Sequence, residues 1–153
     1  MSKHLKRLNA PKSWPIKKRK GIKFITKPLP GPHSLNKSIP LNILLKDVLD
    51  YAQTTREVKK ILNENKILVN NIVRKDPGFP VGCMDAISIP STNEYYRLIY
   101  NEKGKFILKP IKKEEADFEL HKIQNKTMLK GNKKQLNLED GKNILVPKDG
   151  YKV

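Results

Sequence analysis

The residues best suited to chemistry in this chain are cations. Arg56, Lys59 and Lys60 lie within five positions of one another beside the Thr54-Thr55 pair, and Arg74 and Lys75 follow Asn70-Asn71. Side chains of this kind pair with phosphate oxygens, and a helix opening at Thr55 would add an anion-friendly dipole end. Residues 1–40 hold a second supply: eleven Lys or Arg and no Asp or Glu. Lys6, Arg7, Lys12, Lys17, Lys18, Arg19, Lys20, Lys23, Lys27 and Lys37 are among them. The Lys17–Lys20 run with Lys23 could neutralise several phosphates at once, each contact steepening the salt dependence of affinity by roughly 0.9 or less. Lys far outnumbers Arg, which is confined to positions 7, 19, 56, 74 and 97. A point charge without a planar fork favours general phosphate neutralisation over base reading.

Several of these residues have a plainer reading. Arg56, Lys59 and Lys60 could be a solvated helix face, with Lys60 paired to Glu64 at i, i+4. Trp14 offers either a stacking plane for a base, worth about 1–3 kcal/mol, or a hydrophobic anchor against Leu8 or the globular part. His4 and His33 could stack or donate to phosphate, or make ordinary polar contacts.

Other chemistries find little support. Cys83, His33 and His121 lack paired metal-ligand spacing, so neither a metal site nor a cofactor is expected. Cys83, beside Met84, reads as a small core residue, and Asp85 as a turn cap. Glu114, Glu115 and Asp117 stand next to Lys112 and Lys113 as a solvated surface. There is no Gly-rich phosphate loop and no G-x-S-x-G turn, so no catalytic residue and no small-molecule substrate are expected.

The bulk numbers agree. The chain has 153 residues and a net charge of +17, with 32 Lys and Arg against 15 Asp and Glu. Self-repulsion of that size calls for a polyanionic partner. No apolar run approaches the roughly 18 residues of a spanning helix, and no h-region follows the basic start. Membranes are therefore not the expected partner. The single cysteine excludes an intramolecular disulfide and fits a cytoplasmic setting.

The cations need elements to place them. Residues 1–40 read as an extended basic arm, too polar to fold alone and expected to order only against a partner. From Pro40, Leu41, Leu44, Leu45, Val48, Leu49 and Ala52 trace one face of a helix. Thr54-Thr55-Arg56-Glu57 is a capping box opening a second helix, with Val58, Ile61 and Leu62 inward and Arg56, Lys59 and Lys60 outward. Asn65 ends it. A strand at 67–69, an Asn70-Asn71 turn and a strand from Ile72 form a hairpin. Further strands are expected at 86–89, 95–100 and 105–108, then around Leu136–Leu138 and Ile144–Val146 with a turn at Glu139–Lys142.

The segment Thr55-Arg56-Glu57-Val58, Leu62, Asn65-Lys66-Ile67, Val69-Asn70-Asn71 and Val73, then Asp85-Ala86-Ile87, resembles the S-four-like RNA-binding domain. That module usually has Gly where this chain has Asn65 and Asn71. The stretch from His4 to Lys18, with Pro30-Gly31-Pro32-His33-Ser34, Ser38-Ile39-Pro40-Leu41, Phe79-Pro80-Val81-Gly82 and Leu138–Asn143, is similar to the archaeal and eukaryotic small-subunit ribosomal protein S four-e family. The resemblance covers essentially the whole chain. That family normally continues into a completed central β domain and a KOW-type barrel, so a shortened form or a fragment is expected. It implies an α+β fold with three parts: the basic arm at 1–40, the S-four-like domain at 42–104, and a β-rich, barrel-like region at 105–153.

The function so implied is a structural, non-enzymatic constituent of the small ribosomal subunit in the cytoplasm. Small-subunit rRNA and neighbouring ribosomal proteins are the expected partners. The RNA-binding set is the arm residues named above together with His4, Trp14, His33, Thr55, Arg56, Lys59, Lys60, Asn70, Arg74 and Lys75. The alternative is a free-standing RNA-binding or rRNA-modifying factor built on the same domain.

Overall fold

The computed structural model describes residues 4–146 of the chain. They form an α+β arrangement that falls into two compact units, Met1–Glu119 and Leu120–Val153.

The first unit begins with a small antiparallel pair, β1 (His4–Lys6) and β2 (Phe24–Thr26), in the register Leu5 to Ile25. β3 (Ser38–Pro40) leads into α1 (Leu41–Ile43), which widens into a π-helical turn over Leu44–Val48. The Leu49 amide donates to the Leu44 carbonyl at 2.9 Å. Asp50, at φ 57°, then breaks the run, so the helix expected to reach Ala52 ends early. Its apolar face is nonetheless the expected one, with Leu41, Leu44, Leu45 and Ala52 all buried. α2 (Thr55–Asn63) follows. Asn65, in the left-handed region at φ 57°, lets the chain leave the helix.

β4 (Leu68–Val69) and β5 (Ile72–Val73) form the expected hairpin. Asn70 and Asn71 both hold positive φ, 51° and 61°. This is the two-residue turn whose twist matches the flanking strands. β6 (Pro80–Gly82) lies in a Pro- and Gly-rich stretch that reads from sequence as a loop, yet it pairs with β3, matching Ile39 with Val81. β7 (Ala86–Ile89), β8 (Glu94–Tyr100) and β9 (Phe106–Pro110) complete a five-stranded antiparallel sheet in the order β5-β4-β7-β8-β9. α1, α2 and these strands bury one core around Leu44, Leu45, Val58, Leu62, Ile87 and Leu98.

Residues of the arm join that core. Ala10, Trp14, Ile25 and Ile39 are buried in it, and Trp14 is only 1% exposed. The Trp14 indole N–H donates to the Ser38 carbonyl at 2.7 Å, and the Phe106 amide donates to Ser13 at 2.8 Å. A buried side chain of this size contributes on the order of 1.5–3 kcal/mol. The first forty residues thus have an anchor within the chain, which an acid-free, Lys-rich composition did not reveal. The division expected after Gly104 falls inside the β8–β9 hairpin, whose register pairs Tyr100 with Phe106.

The second unit is a three-stranded antiparallel sheet, β10 (Ile123–Leu129), β11 (Lys133–Leu138) and β12 (Asn143–Val146), with β11 central. Leu136 and Leu138 are buried, and Gly141 at φ 83° makes the expected turn between β11 and β12. β10 was not anticipated, because its exposed residues carry no apolar–polar alternation.

Candidate nucleic-acid interface

α2 organises the cations. Thr54 accepts from the Glu57 amide at 3.2 Å, and Glu57 accepts in return from the Gln53 and Thr54 amides at 2.8 and 3.4 Å. The Gln53 amide first, then the Thr54 hydroxyl and amide, hold the Glu57 carboxyl below its ordinary range. The carboxylate nearest the helix start is therefore occupied by its own backbone. Val58 and Leu62 are fully buried, which turns Arg56, Lys59 and Lys60 to solvent. The Lys60–Glu64 pair of the plainer reading is not the ion pair formed. Glu64 accepts from Lys66 at 2.6 Å, and that hydrogen bond and charge lower its pKa.

Three clefts follow this helix from start to end. The first, of 600 Å³, is lined by Arg7, Lys17, Lys18 and Lys46 together with His4, Asp47 and Thr55. The second, of 580 Å³, runs along α2 itself between Thr54 and Glu64 and carries Arg56, Lys59 and Lys60. The third, of 690 Å³, opens at Asn65 and carries Arg74 and Lys75 beside Asp76 and Phe79. Thr54 and Thr55 join the first two clefts, and Glu64 and Asn65 the last two. With nine residues, α2 spans roughly 13 Å, so the three clefts follow one another along a short, largely cationic strip. Asp76 is engaged by the Gly78 amide at 2.9 Å. The carboxylates bordering the second and third clefts thus have internal partners, while most of the cations have none among the described residues.

Arg74 is built differently from the lysines. Its guanidinium lies 4.3 Å from the Phe79 ring centroid, and its Nε is buried without a hydrogen-bond partner among the described residues. The Phe79 ring holds the guanidinium by a cation–π contact, and its outer N–H groups are suited to donate to an anion.

Other sequence-predicted residues serve the fold. Trp14 has no free face, so of its two readings the structure takes the anchor, although Leu8 is not its partner and stands 70% exposed. Arg19 donates to the carbonyls of Ala10 and Pro11 at 3.3 and 2.9 Å, and Arg7 Nε to the Lys18 carbonyl. His33 and Asn70 converge on buried Asp85. Its Oδ2 lies 3.0 Å from His33 Nε2 and accepts from the Gly82 amide at 2.8 Å, and its Oδ1 accepts from Asn70 at 3.0 Å. Burial pushes the Asp85 carboxyl up, but these hydrogen bonds and the His33 charge outweigh it, and the net shift is downward. Position 82 must be glycine here, because a Cβ would sit 2.4 Å from the His33 ring.

Lys6, Lys12, Lys20, Lys23 and Lys37 lie exposed and Lys27 half-buried, outside the three clefts. Lys17 is in the first cleft but is ion-paired with Asp50. Cys83, expected in the core, is exposed, because Met84 at φ 74° turns the chain so that Asp85 enters the core instead. Sequence reasoning missed Lys46, Asn42 and Phe24. Lys46 was legible as the polar face of the first helix. Phe24 and Asn42 gave no signal until β1 and β2 came together.

Among the described residues, no helix is long and apolar enough to cross a membrane. No group of three or more His, Cys, Asp or Glu there could hold a metal ion.

Three family descriptions match successive stretches of the chain: the RS4NT (NUC023) domain at residues 1–36, the S4 domain at 40–87 and ribosomal family S4e at 92–153. A protein of Methanopyrus kandleri called small ribosomal subunit protein eS4 is 46% identical over 144 residues, 94% of this chain and 55% of its own length. The protein of that name from Methanosphaera stadtmanae is 49% identical over 150 residues, 98% of this chain and 61% of its own. The chain thus spans little more than half the length of these relatives. The crystal structure of the 30S ribosomal protein S4e from Thermoplasma acidophilum aligns with a TM-score of 0.63 and 32% identity, covering 76% of this chain and 60% of that one. The matches follow one another along the sequence in the same order as the arm, the helix-and-sheet module and the β-rich end, and on that ground the chain belongs to the ribosomal S4e family.

Proposed function

We propose that this chain is a non-enzymatic, RNA-binding constituent of the small ribosomal subunit in the cytoplasm. Small-subunit rRNA is its main partner and neighbouring ribosomal proteins the secondary ones. The observation that carries this reading is the cationic strip along α2, on which three adjoining clefts present Arg7, Lys18, Lys46, Arg56, Lys59, Lys60, Arg74 and Lys75. Exposed lysines on a preformed helix suit the phosphates of folded RNA, whose A-form helices offer shape and backbone rather than readable base edges. The relatives' name, small ribosomal subunit protein eS4, points to the same setting.

Sedimentation of the chain expressed in cells tests this at moderate salt. It should travel with the small subunit, and release should follow as salt rises. Recovery only in light, soluble fractions would contradict the proposal. Isomerisation of uridine in rRNA by the purified chain would favour the modifying-factor alternative.

A further inference from the structure

We infer that the first cleft holds an unstacked nucleotide of single-stranded or bulged RNA, with its base on Phe24 and its phosphate on Lys18 and Lys46. This rests on the RNA-binding function proposed above and adds a subsite to it. The cleft pairs cations with an exposed aromatic, whereas the aromatic of the third cleft, Phe79, is half-buried and covered by Arg74. Four cations meet an apolar wall of Ile22, Phe24 and Ile25, and Phe24 and Ile22 are 47% and 62% exposed. Phe24 is held on an ordered strand, opposite Lys6, with the tilted His4 ring at 5.5 Å and Lys23 Nζ over one ring face at 5.4 Å, which leaves the other face for a base. An aromatic platform beside a cationic groove is the arrangement that binds single strands, because every base has a π-face while a paired base has none to spare.

Asn42 supplies an independent observation. It lines the cleft, is 4% exposed, and its amide nitrogen reaches Thr26 Oγ at 2.6 Å and Thr55 Oγ at 3.5 Å. Its Oδ1 has no hydrogen-bond partner among the described residues. Turning the amide over would only exchange the ends, leaving the nitrogen unpartnered instead. One polar end of a side chain lining the cleft is therefore unsatisfied, which carries a desolvation cost. The volume, 600 Å³, lies within the roughly 300–1,000 Å³ of sites that enclose small organic ligands.

The test is fluorescence anisotropy of the full chain with two labelled probes, a single-stranded RNA oligomer and an RNA hairpin with a fully paired stem and a short tetraloop. Phe24→Ala should weaken single-strand binding by about 5- to 100-fold and leave the salt slope unchanged, while hairpin binding moves by less than about twofold. Phe24→Tyr should restore single-strand affinity. Lys46→Ala should lower the single-strand salt slope by roughly 0.7. An equal loss on both probes, or no loss on either, would overturn the subsite and leave the general RNA-binding function standing. Failure of the unaltered chain to bind either RNA would overturn both. A mononucleotide that competes as well as the oligomer would replace the RNA subsite with a free-nucleotide site.

Discussion

The arm and the α2 segment carry similar densities of positive charge, but part of the arm's is spent within the fold. In the arm, both arginines donate to backbone carbonyls of the arm itself, and Trp14 fastens the segment to Ser38 and the core. In α2, Arg56, Lys59 and Lys60 stand exposed on a helix whose inner face is spent on Val58 and Leu62, with Glu57 and Glu64 engaged elsewhere. The comparison shows that a run of positive charge is not by itself a binding surface. The fold decides which cations face outward by giving some of them carbonyls and carboxylates to hold.

The sharpest way to break this contrast is to remove the arm's anchor. Trp14→Ala should cost about 3–5 kcal/mol of unfolding free energy, from the cavity left by a buried indole. Urea denaturation measures it. A loss below about 1 kcal/mol would mean that the arm contributes little to the core. By contrast, Lys59→Ala with Lys60→Ala should stay within roughly 0.5 kcal/mol for each substitution, as surface changes do.

The Asp85 cluster, which ties arm residue His33 to the Asn70 turn, gives the next effect. Asp85→Asn should destabilise by about 1–3 kcal/mol through the loss of charged hydrogen bonds. The folded-state pKa of Asp85 is lowered, so its contribution is complete above the unfolded value of about 3.9. It is lost as pH falls through the folded value. The unaltered protein should therefore lose more stability than the Asn variant on acidification below about pH 4. Parallel pH profiles for the two proteins would remove the cluster from the account.

Local signals made α2 and the hairpin after it readable in the sequence. Thr54 and Glu57 sit three apart, the apolar residues repeat with the helical period, and Asn65, Asn70 and Asn71 tolerate positive φ. What could not be read depended on distant partners. Pro80–Gly82 looks like a loop until Ser38–Pro40 pairs with it, and Trp14 looks like a stacking plane until Ser38 receives its N–H. Of the candidate site, the cations along α2 and at Arg74–Lys75 were legible because exposure follows from helix phase and turn position. The first cleft was not, since it exists only when β2 and the residues around Lys46 come together.

The salt dependence of RNA affinity tests the central claim most directly. With a structured small-subunit rRNA fragment, replacing Arg56, Lys59 and Lys60 together by Ala should reduce the log–log slope by roughly 2 to 3. Replacing Arg19, which faces its own backbone carbonyls, should leave the slope within about 0.3 of the unaltered protein if the fold holds. An unchanged slope for the α2 variant, or a larger change for Arg19→Ala than for the α2 triple, would contradict the assignment of α2 as the binding strip.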